Sequence, residues 1–178
     1  MKYAIFYLLE GKAKKYNEKL MKETAKISGE RYILDVSKFP SHVSLKNSFE
    51  FDNFNKLDNF LKDFVKKHKK AKININGFDN FRKFISFLKT NFSKDAKKLQ
   101  KDLIKELDKK LGIKPTENEL KYKPHATICY GNTKETFNII WNYLQKQKKP
   151  KFNLKLDNLT LFYKPKDRWI VRKRYEIK

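Results

Sequence analysis

Two short segments of this chain alternate polar and apolar residues in the same way, and each places a hydroxyl residue two positions after a histidine. The pairs are His42 with Ser44 and His125 with Thr127, and the histidines are 83 residues apart. Side chains two positions apart lie on one face of a β-strand, so each histidine would share a face with its hydroxyl residue. The apolar residues between them would face a core. The chain is therefore predicted to contain two half-buried strands of this kind.

The remaining histidine, His68, lies between the two motifs in sequence and has a lysine, not a hydroxyl residue, two positions later. It lies in the lysine-rich run at 66–70, at the end of a segment with helical periodicity. Such a run is typical of a solvated helix end, which is where we expect His68. Two of three histidines thus occur in the same context, which favours a shared role over coincidence.

Hydrophobic periodicity and turn residues divide the rest of the chain into strands and helices. Strands are predicted at residues 3–9, 32–36, 72–78, 81–89, 122–130, 152–162 and 168–177, of which 81–89 also fits a helix. Helices are predicted to begin after Gly11, at Asp52 or Asn53, at Asn91 or Ser93, and at Asn132; Gly29 and Gly112 are placed to end the first and third. A hairpin with a polar tip is predicted to join the last two strands.

This order of elements indicates an α+β fold in which the two halves are distant copies of one unit. Each half contributes one histidine strand and follows it with a helix. No low-complexity linker separates the halves, so residues 1–178 are predicted to form a single domain with two lobes. We expect the protein to be a monomer.

The chain is strongly basic, with a net charge of +23, which favours attraction to a polyanion such as RNA. Its 43 basic residues comprise 38 lysines and only 5 arginines. Because arginine binds phosphate better than lysine does, through paired hydrogen bonds, this excess of lysine also fits a basic surface that is merely solvated. Nucleic acid is the favoured partner, and the solvated surface is the alternative.

Several classes of protein are excluded by what the sequence lacks. Its single cysteine, Cys129, rules out an internal disulfide and a cysteine-based zinc site. No apolar run approaches the 18 or so residues of a membrane span, and the apolar residues 3–9 are interpreted as a strand rather than a signal peptide. We therefore expect a cytoplasmic protein with no membrane association.

The two histidine segments resemble the motifs of the two-histidine (2H) phosphoesterase superfamily, which includes 2′-5′ RNA ligase-like proteins and cyclic nucleotide phosphodiesterases. They stand as His42-Val43-Ser44-Leu45 and His125-Ala126-Thr127-Ile128, the second preceded by Pro124. The resemblance covers nearly the whole chain. It implies a bilobal α+β fold with two pseudo-symmetric lobes of antiparallel sheet, outer helices and a central cleft between the motifs. Tyr130 resembles the aromatic residue of cyclic phosphodiesterase-like members rather than the basic residue of ligase-like ones.

Two histidines and two hydroxyls suit the hydrolysis of a cyclic phosphodiester. Because histidine titrates near neutral pH, one imidazole would activate water and the other would protonate the departing oxygen. The hydroxyls would hydrogen-bond the non-bridging oxygens as negative charge builds on them. His42, Ser44, His125 and Thr127 are therefore predicted to be catalytic, and the sequence leaves open which histidine is the base.

No metal and no other cofactor is expected for this chemistry. The sequence has no His-x-Glu pair, no cysteine cluster and no Asp-rich loop suited to a metal. Walker A and Gly-rich dinucleotide motifs are also missing, so ATP-dependent ligation is not indicated.

Four further residues are candidates for substrate binding. Lys46 would lie on the same strand face as His42 and could offset phosphate charge, with an ordinary exposed lysine as the alternative. Tyr130, Tyr163 and Trp169 are candidates to stack on a base, with packing in the core or at the rim as the alternative.

These observations predict a metal-independent phosphodiesterase that hydrolyses 2′,3′-cyclic phosphate or 2′-5′ phosphodiester bonds in RNA ends or oligonucleotides. Its substrate would be RNA, an oligonucleotide or a cyclic nucleotide. One alternative is an esterase of cyclic or 2′-5′-linked oligonucleotide signals. Another is a non-catalytic basic RNA-binding module, whose binding should weaken steeply with salt.

Overall fold

The structure is a computed structural model, and the description covers residues 1–28, 40–130, 134–166 and 168–178. Within these residues the chain forms, in order, β1 (Lys2–Leu8), α1 (Gly11–Ser28), β2 (His42–Glu50), α2 (Phe54–Lys66), β3 (Ala71–Phe81), β4 (Ile85–Phe92), α3 (Lys94–Leu111), α4 (Glu117–Leu120), β5 (His125–Tyr130), α5 (Lys134–Lys146), β6 (Lys151–Leu156), β7 (Asn158–Lys164) and β8 (Ile170–Glu176). The predicted strand at 32–36, the helix stop at Gly29 and the helix start at Asn132 lie outside the described residues.

The strands form two four-stranded sheets in which all neighbouring strands are antiparallel. The first sheet has the order β2-β1-β7-β8, and the second has the order β5-β4-β3-β6. The histidine strands β2 and β5 are each an edge strand within the described part of the chain, and these two edges contact each other. The expected α+β fold with two lobes of antiparallel sheet is confirmed, and its two motifs meet where the lobes meet.

One continuous apolar core joins the two sheets. Ile5 and Leu45 of the first sheet and Ile75, Leu88 and Ile128 of the second are almost completely buried in it. The helices pack against the sheets, with α2 on β8, α3 on β3 and β4, and α5 on β4. Helix α1 follows β1 in sequence but packs on β5 and α5, so it ties the first half of the chain to the second.

The helix boundaries follow the capping signals in the sequence. The side chain of Asn53 accepts a hydrogen bond from the backbone N–H of Lys56, and that of Ser93 accepts one from Ala96. Gly112 ends α3 in the left-handed region, with φ of 70°. Among the described residues, no helix has the length and apolar character that crossing a membrane requires. The predicted starts of α2 and α3 and the end of α3 are confirmed.

Two strand predictions are wrong at their boundaries. The segment 152–162 is not one strand, because the chain leaves the second sheet at the end of β6 and enters the first sheet at β7. The buried Asn158 marks the crossing, since its Oδ1 accepts a hydrogen bond from Leu8 N at 3.1 Å. The segment 81–89 is also divided, because Phe81 ends β3 and a turn precedes β4. Alternation alone does not report which sheet a strand joins.

Two features near the helices also differ from expectation. Helix α4 was not predicted, although Thr116 and Glu119 match the Thr-x-x-Glu pattern of a helix start, and Glu119 Oε2 accepts a hydrogen bond from Thr116 N at 2.7 Å. The solvated position expected for His68 is wrong, because its side chain is only 16% exposed. The ring stacks on Phe64 at 4.0 Å and Nε2 lies 3.6 Å from Asp102 Oδ2.

Candidate active site

A cavity of about 1000 Å³ lies between the two histidine strands. It is lined by His42 and Ser44 of β2 and by His125 and Thr127 of β5. The structure thus brings all four residues that were predicted to be catalytic to the wall of one cavity. Further walls come from β1, from the turn between β3 and β4, from the segment 118–123 and from Trp169.

A ring contact and a hydrogen bond hold His42 at the cavity. Its imidazole stacks on Phe6 of β1, with 4.1 Å between the ring centroids and 30° between the planes. Its Nδ1 lies 2.7 Å from the carbonyl oxygen of Pro40. A carbonyl oxygen only accepts, so Nδ1 carries the hydrogen and the neutral ring has its lone pair on Nε2.

His125 is held in the same way from the opposite sheet. Its Nδ1 lies 2.8 Å from the carbonyl oxygen of Lys123, which again precedes the histidine by two residues. Phe81 meets the ring edge-on at 4.8 Å, and Phe87 lies 5.1 Å away. The same argument puts the lone pair of neutral His125 on Nε2. The two motifs therefore present the same tautomer to one cavity.

The pKa values of both histidines are below the ordinary value of 6.5. The pKa of His42 is lowered to about 4, mainly by burial; the Pro40 carbonyl opposes the shift, and the positive charge of His125 adds to it. Burial also lowers the pKa of His125, against the opposing effect of the Lys123 carbonyl. Because a charge on His125 acts on His42, the two rings are electrostatically coupled, and His125 is the ring that takes up the first proton.

The backbone around Ser44 and Thr127 is anchored by two side chains from elsewhere in the chain, the partly buried Tyr122 and the buried Asn17. Tyr122 donates its hydroxyl hydrogen to the carbonyl oxygen of Ser44 at 2.8 Å. Asn17 of α1 donates through Nδ2 to the carbonyl oxygen of Thr127 at 3.3 Å and to Ser41 Oγ at 2.8 Å. Asn17 thus bonds to the residue before the first histidine and to the second motif itself.

Lys46 does not face the cavity, so its predicted place beside His42 is wrong. Its side chain is only 1% exposed, and Nζ lies 2.8 Å from Glu119 Oε2 and 3.1 Å from the carbonyl oxygen of Lys114. The register of β2 against β1 shifts by one residue between Ser44 and Lys46, so the alternation that begins at His42 does not continue to Lys46. The ammonium is committed to a buried ion pair.

Tyr163 also lies away from the cavity, which contradicts its predicted role in stacking on a base. Its neighbour Phe162 packs on Phe6, at 5.0 Å, on the cavity side of the first sheet. Alternation along β7 therefore turns Tyr163 to the other face, where its ring and that of Phe54 flank the guanidinium of Arg172, at 5.4 and 4.5 Å.

The other two aromatic candidates line the cavity. Tyr130 forms an edge-on pair with Phe84 at 6.1 Å, and the Trp169 ring lies 6.4 Å from Phe6. Sequence reasoning missed further cavity residues, namely Phe6, Phe81, Arg82, Phe84, Lys121 and Lys123. The alternation of polar and apolar residues gave no signal for them, because they belong to a turn, a loop and two strands, β1 and β3, that carry no histidine motif. Among the described residues, no group of three His, Cys, Asp or Glu side chains is arranged to hold a metal ion.

A protein-family model described as the 2′-5′ RNA ligase superfamily matches residues 19–168, a range that includes both histidine strands. The chain belongs to this superfamily. The family resemblance drawn from the two motifs is thereby confirmed. The superfamily is one of 2H phosphoesterases, which are generally enzymes.

Several solved structures have the same fold as this chain, although their sequence identity to it is low. E. coli LigT in its apo form is 13% identical with a TM-score of 0.61, and the match covers 100% of this chain and 99% of LigT. TT0787 of Thermus thermophilus is 14% identical with a TM-score of 0.61, over 99% of this chain and 98% of that one. A structure described as a phosphoesterase is 12% identical with a TM-score of 0.65, over 99% and 98%. No curated protein sequence gives a significant match.

Proposed function

We propose that this protein is a metal-independent phosphodiesterase that hydrolyses 2′,3′-cyclic phosphate or 2′-5′ phosphodiester bonds in RNA ends or oligonucleotides. The observation that carries the proposal is the matched pair of histidines on one cavity. Each ring donates Nδ1–H to the carbonyl two residues before it, at 2.7 Å for His42 and 2.8 Å for His125. Each ring therefore has Nε2 as its base or acid atom, which is what in-line attack and departure at one phosphorus require.

The electrostatic difference between the rings suggests which proton each one moves. The pKa of His42 is lowered to about 4, so this ring is neutral and accepts the proton of the attacking water at Nε2. His125 carries the first proton of the pair and donates it from Nε2 to the departing ribose oxygen. The bond between phosphorus and the departing ribose oxygen breaks as the bond between phosphorus and the water oxygen forms. The product is a phosphate monoester, and the departing ribose oxygen becomes a free hydroxyl.

The hydroxyls and cations of the cavity would stabilise the negative charge that builds on phosphorus. Neither the Ser44 nor the Thr127 hydroxyl makes a hydrogen bond with another described residue, so both are available to non-bridging oxygens. Lys121 and Lys123 line the same cavity. Crystal structures of E. coli LigT with 3′-AMP and with phosphate support a nucleotide ligand for this fold.

The proposal is tested by assaying a 2′,3′-cyclic nucleotide, an RNA with a 2′,3′-cyclic phosphate end and a 2′-5′-linked oligonucleotide in the presence of EDTA. We expect the wild-type protein to hydrolyse at least one of them. His42→Asn and His125→Asn should each lower kcat by about 10²–10⁴-fold, since each removes one proton-transfer group. The amide keeps a polar side chain near the size of the ring but does not exchange a proton near neutral pH.

His68→Gln is the matched control, because His68 is the remaining histidine and does not line the cavity. Its kcat should stay within about threefold of the wild-type value. The proposal is refuted if all three substrates remain intact in EDTA, or if the three histidine variants lose activity equally. RNA binding that persists in both Asn variants without any turnover would instead favour a binding module.

A further inference from the structure

We propose that the turn at residues 82–84, which we call the rim turn, forms a second substrate subsite beside the two histidines. Arg82 binds a phosphate there and Phe84 binds a nucleobase, both on a part of an oligonucleotide beyond the bond that is cleaved. The assignment rests on the proposed function and deepens it, because it makes the preferred substrate an oligonucleotide rather than a single cyclic nucleotide.

The backbone of the rim turn adopts a conformation that its residues do not favour. Arg82 and Lys83 have φ of 50° and 53°, in the left-handed region, where hairpin turns normally carry Asn or Gly. Phe84 N closes the turn by donating to Phe81 O at 2.9 Å, and Lys83 N donates to Asn80 Oδ1 at 3.1 Å. Backbone strain of this kind concentrates at functional sites, so the side chains of the turn are candidates for a role.

The side chains of the rim turn divide between the cavity and the exterior. Arg82 and Phe84 line the cavity, whereas Lys83 does not. None of the ion pairs among the described residues involves Arg82, so no carboxylate there neutralises its guanidinium. A guanidinium in this position is suited to a phosphate, which it binds through two parallel hydrogen bonds.

Phe84 and Tyr130 together form an aromatic surface at the edge of the cavity. Their rings are 6.1 Å apart at an angle of 61°, and Phe84 is 43% exposed. An exposed aromatic ring beside cationic groups is the arrangement on which single-stranded nucleic acids stack their bases. This surface therefore provides a place for one nucleobase.

The aromatic surface and the histidines lie too far apart for one small ligand. Tyr130 is five residues from His125 along β5, which corresponds to about 16 Å of extended strand. The cavity of about 1000 Å³ is at the upper end of the usual range for small-molecule sites, about 300–1,000 Å³. A ligand that spans both ends is longer than the nucleotide whose phosphate lies between the histidines.

The charge of the cavity wall also favours a ligand with more than one phosphate. Among the described residues that line it, Arg82, Lys121 and Lys123 are basic, and Glu119 is the only carboxylate. Glu119 is already paired with Lys46. Lys121 is paired with Glu117 at 2.6 Å, whereas no ion pair among the described residues involves Arg82 or Lys123. A further phosphate of an oligonucleotide therefore meets the positive charge of Arg82 and Lys123, which strengthens binding in a salt-dependent way.

The kinetic test compares a mononucleoside 2′,3′-cyclic phosphate with a ribotetranucleotide that ends in the same group. Arg82→Gln and Phe84→Ala should each lower kcat/KM for the tetranucleotide by about tenfold, the order expected for one phosphate contact or one stacked base. Both variants should keep kcat/KM for the mononucleotide within about twofold. An equal loss on the two substrates would overturn the assignment, because the turn would then act on the scissile nucleotide or on folding.

Lys83→Gln is the matched control, since it removes the neighbouring positive charge from the same turn without changing a cavity residue. It should leave both substrates within about twofold. If Lys83→Gln weakens the tetranucleotide reaction as much as Arg82→Gln does, the loss reflects the overall charge of the turn, and the subsite is refuted.

A binding measurement separates this inference from the proposed function. The probe is a ribotetranucleotide with a 3′-phosphate, which cannot be hydrolysed further, and its fluorescence anisotropy is followed between 50 and 300 mM salt. Arg82→Gln should make the slope of log affinity against log salt less steep, by the amount that the loss of about one phosphate contact produces. If no substrate is turned over yet this slope changes, the proposed function fails and the subsite stands; an unchanged slope overturns the subsite whatever the activity.

Discussion

Replacing Lys46 by methionine tests the buried ion pair that fastens the segment before β5 to β2. The side chains of Lys46 and Glu119 are only 1% and 3% exposed, with Nζ 2.8 Å from Oε2. Glu119 also accepts a hydrogen bond from Asn47 N at 2.6 Å. Methionine nearly matches lysine in length but leaves the carboxylate buried without a cation. Breaking a buried pair from one side costs about 3–5 kcal/mol, so we expect the free energy of unfolding to fall by this amount.

A double variant separates the buried charge from the lost packing. Lys46→Met combined with Glu119→Gln removes the charge while the amide oxygen still accepts a backbone N–H. What remains lost is the hydrogen bond from Lys46 to the carbonyl of Lys114 and one acceptor of Glu119, together about 1–3 kcal/mol. We therefore expect the double variant to recover about 2 kcal/mol relative to Lys46→Met.

Urea unfolding followed by circular dichroism measures both quantities. For a chain of this length the single variant should also melt about 6–20 °C below the wild type. Lys114→Met is the control, because that lysine is 80% exposed in its ion pair with Asp108, and its loss should cost less than about 1 kcal/mol. A loss below 1 kcal/mol in Lys46→Met, or no recovery in the double variant, would refute the reasoning.

Three further predictions concern the pH dependence, the rim turn and the link between the motifs. The pKa of His42 is lowered to about 4 and that of His125 is lowered below its ordinary 6.5, so kcat/KM should rise as the pH falls toward and below 6.5 and His125 gains its proton. It should fall again near pH 4, when His42 is protonated; an optimum above pH 7 would contradict this order. Lys83→Gly should raise the free energy of unfolding by about 0.5–1 kcal/mol in urea titrations, because glycine adopts the left-handed region without the steric cost that a lysine Cβ has there. A loss of stability would count against backbone strain at the Lys83 φ of 53°. Asn17→Ala should lower the free energy of unfolding by about 1–3 kcal/mol, since it removes the hydrogen bonds of the buried Asn17 amide to the Thr127 carbonyl and to Ser41 Oγ. A change below about 0.5 kcal/mol would show that these bonds are not needed.

The features that sequence reasoning predicted correctly depend on residues close together in the chain. Alternation around His42 and His125 predicted two strands whose histidine and hydroxyl face one way, and all four side chains line the cavity. Local capping residues likewise predicted the ends of α3, at Ser93 and Gly112. Lys46 shows the limit of such reasoning, because one shift in the register of β2 against β1 was enough to bury it. Strand pairing, which sequence alternation does not report, decides such shifts.

The sequence by itself determined the chemistry that this protein has available: two histidine strands, their hydroxyls and a basic chain with one cysteine. Only the tertiary structure decided that β2 and β5, which are edge strands within the described residues, belong to two different sheets and contact each other. It also decided that each Nδ1 is held by a carbonyl and that Arg82 and Phe84 reach the same cavity. The physical reason is the range of the forces involved. Side-chain direction follows from the local backbone, whereas the meeting of two strands 83 residues apart depends on the packing of the whole core.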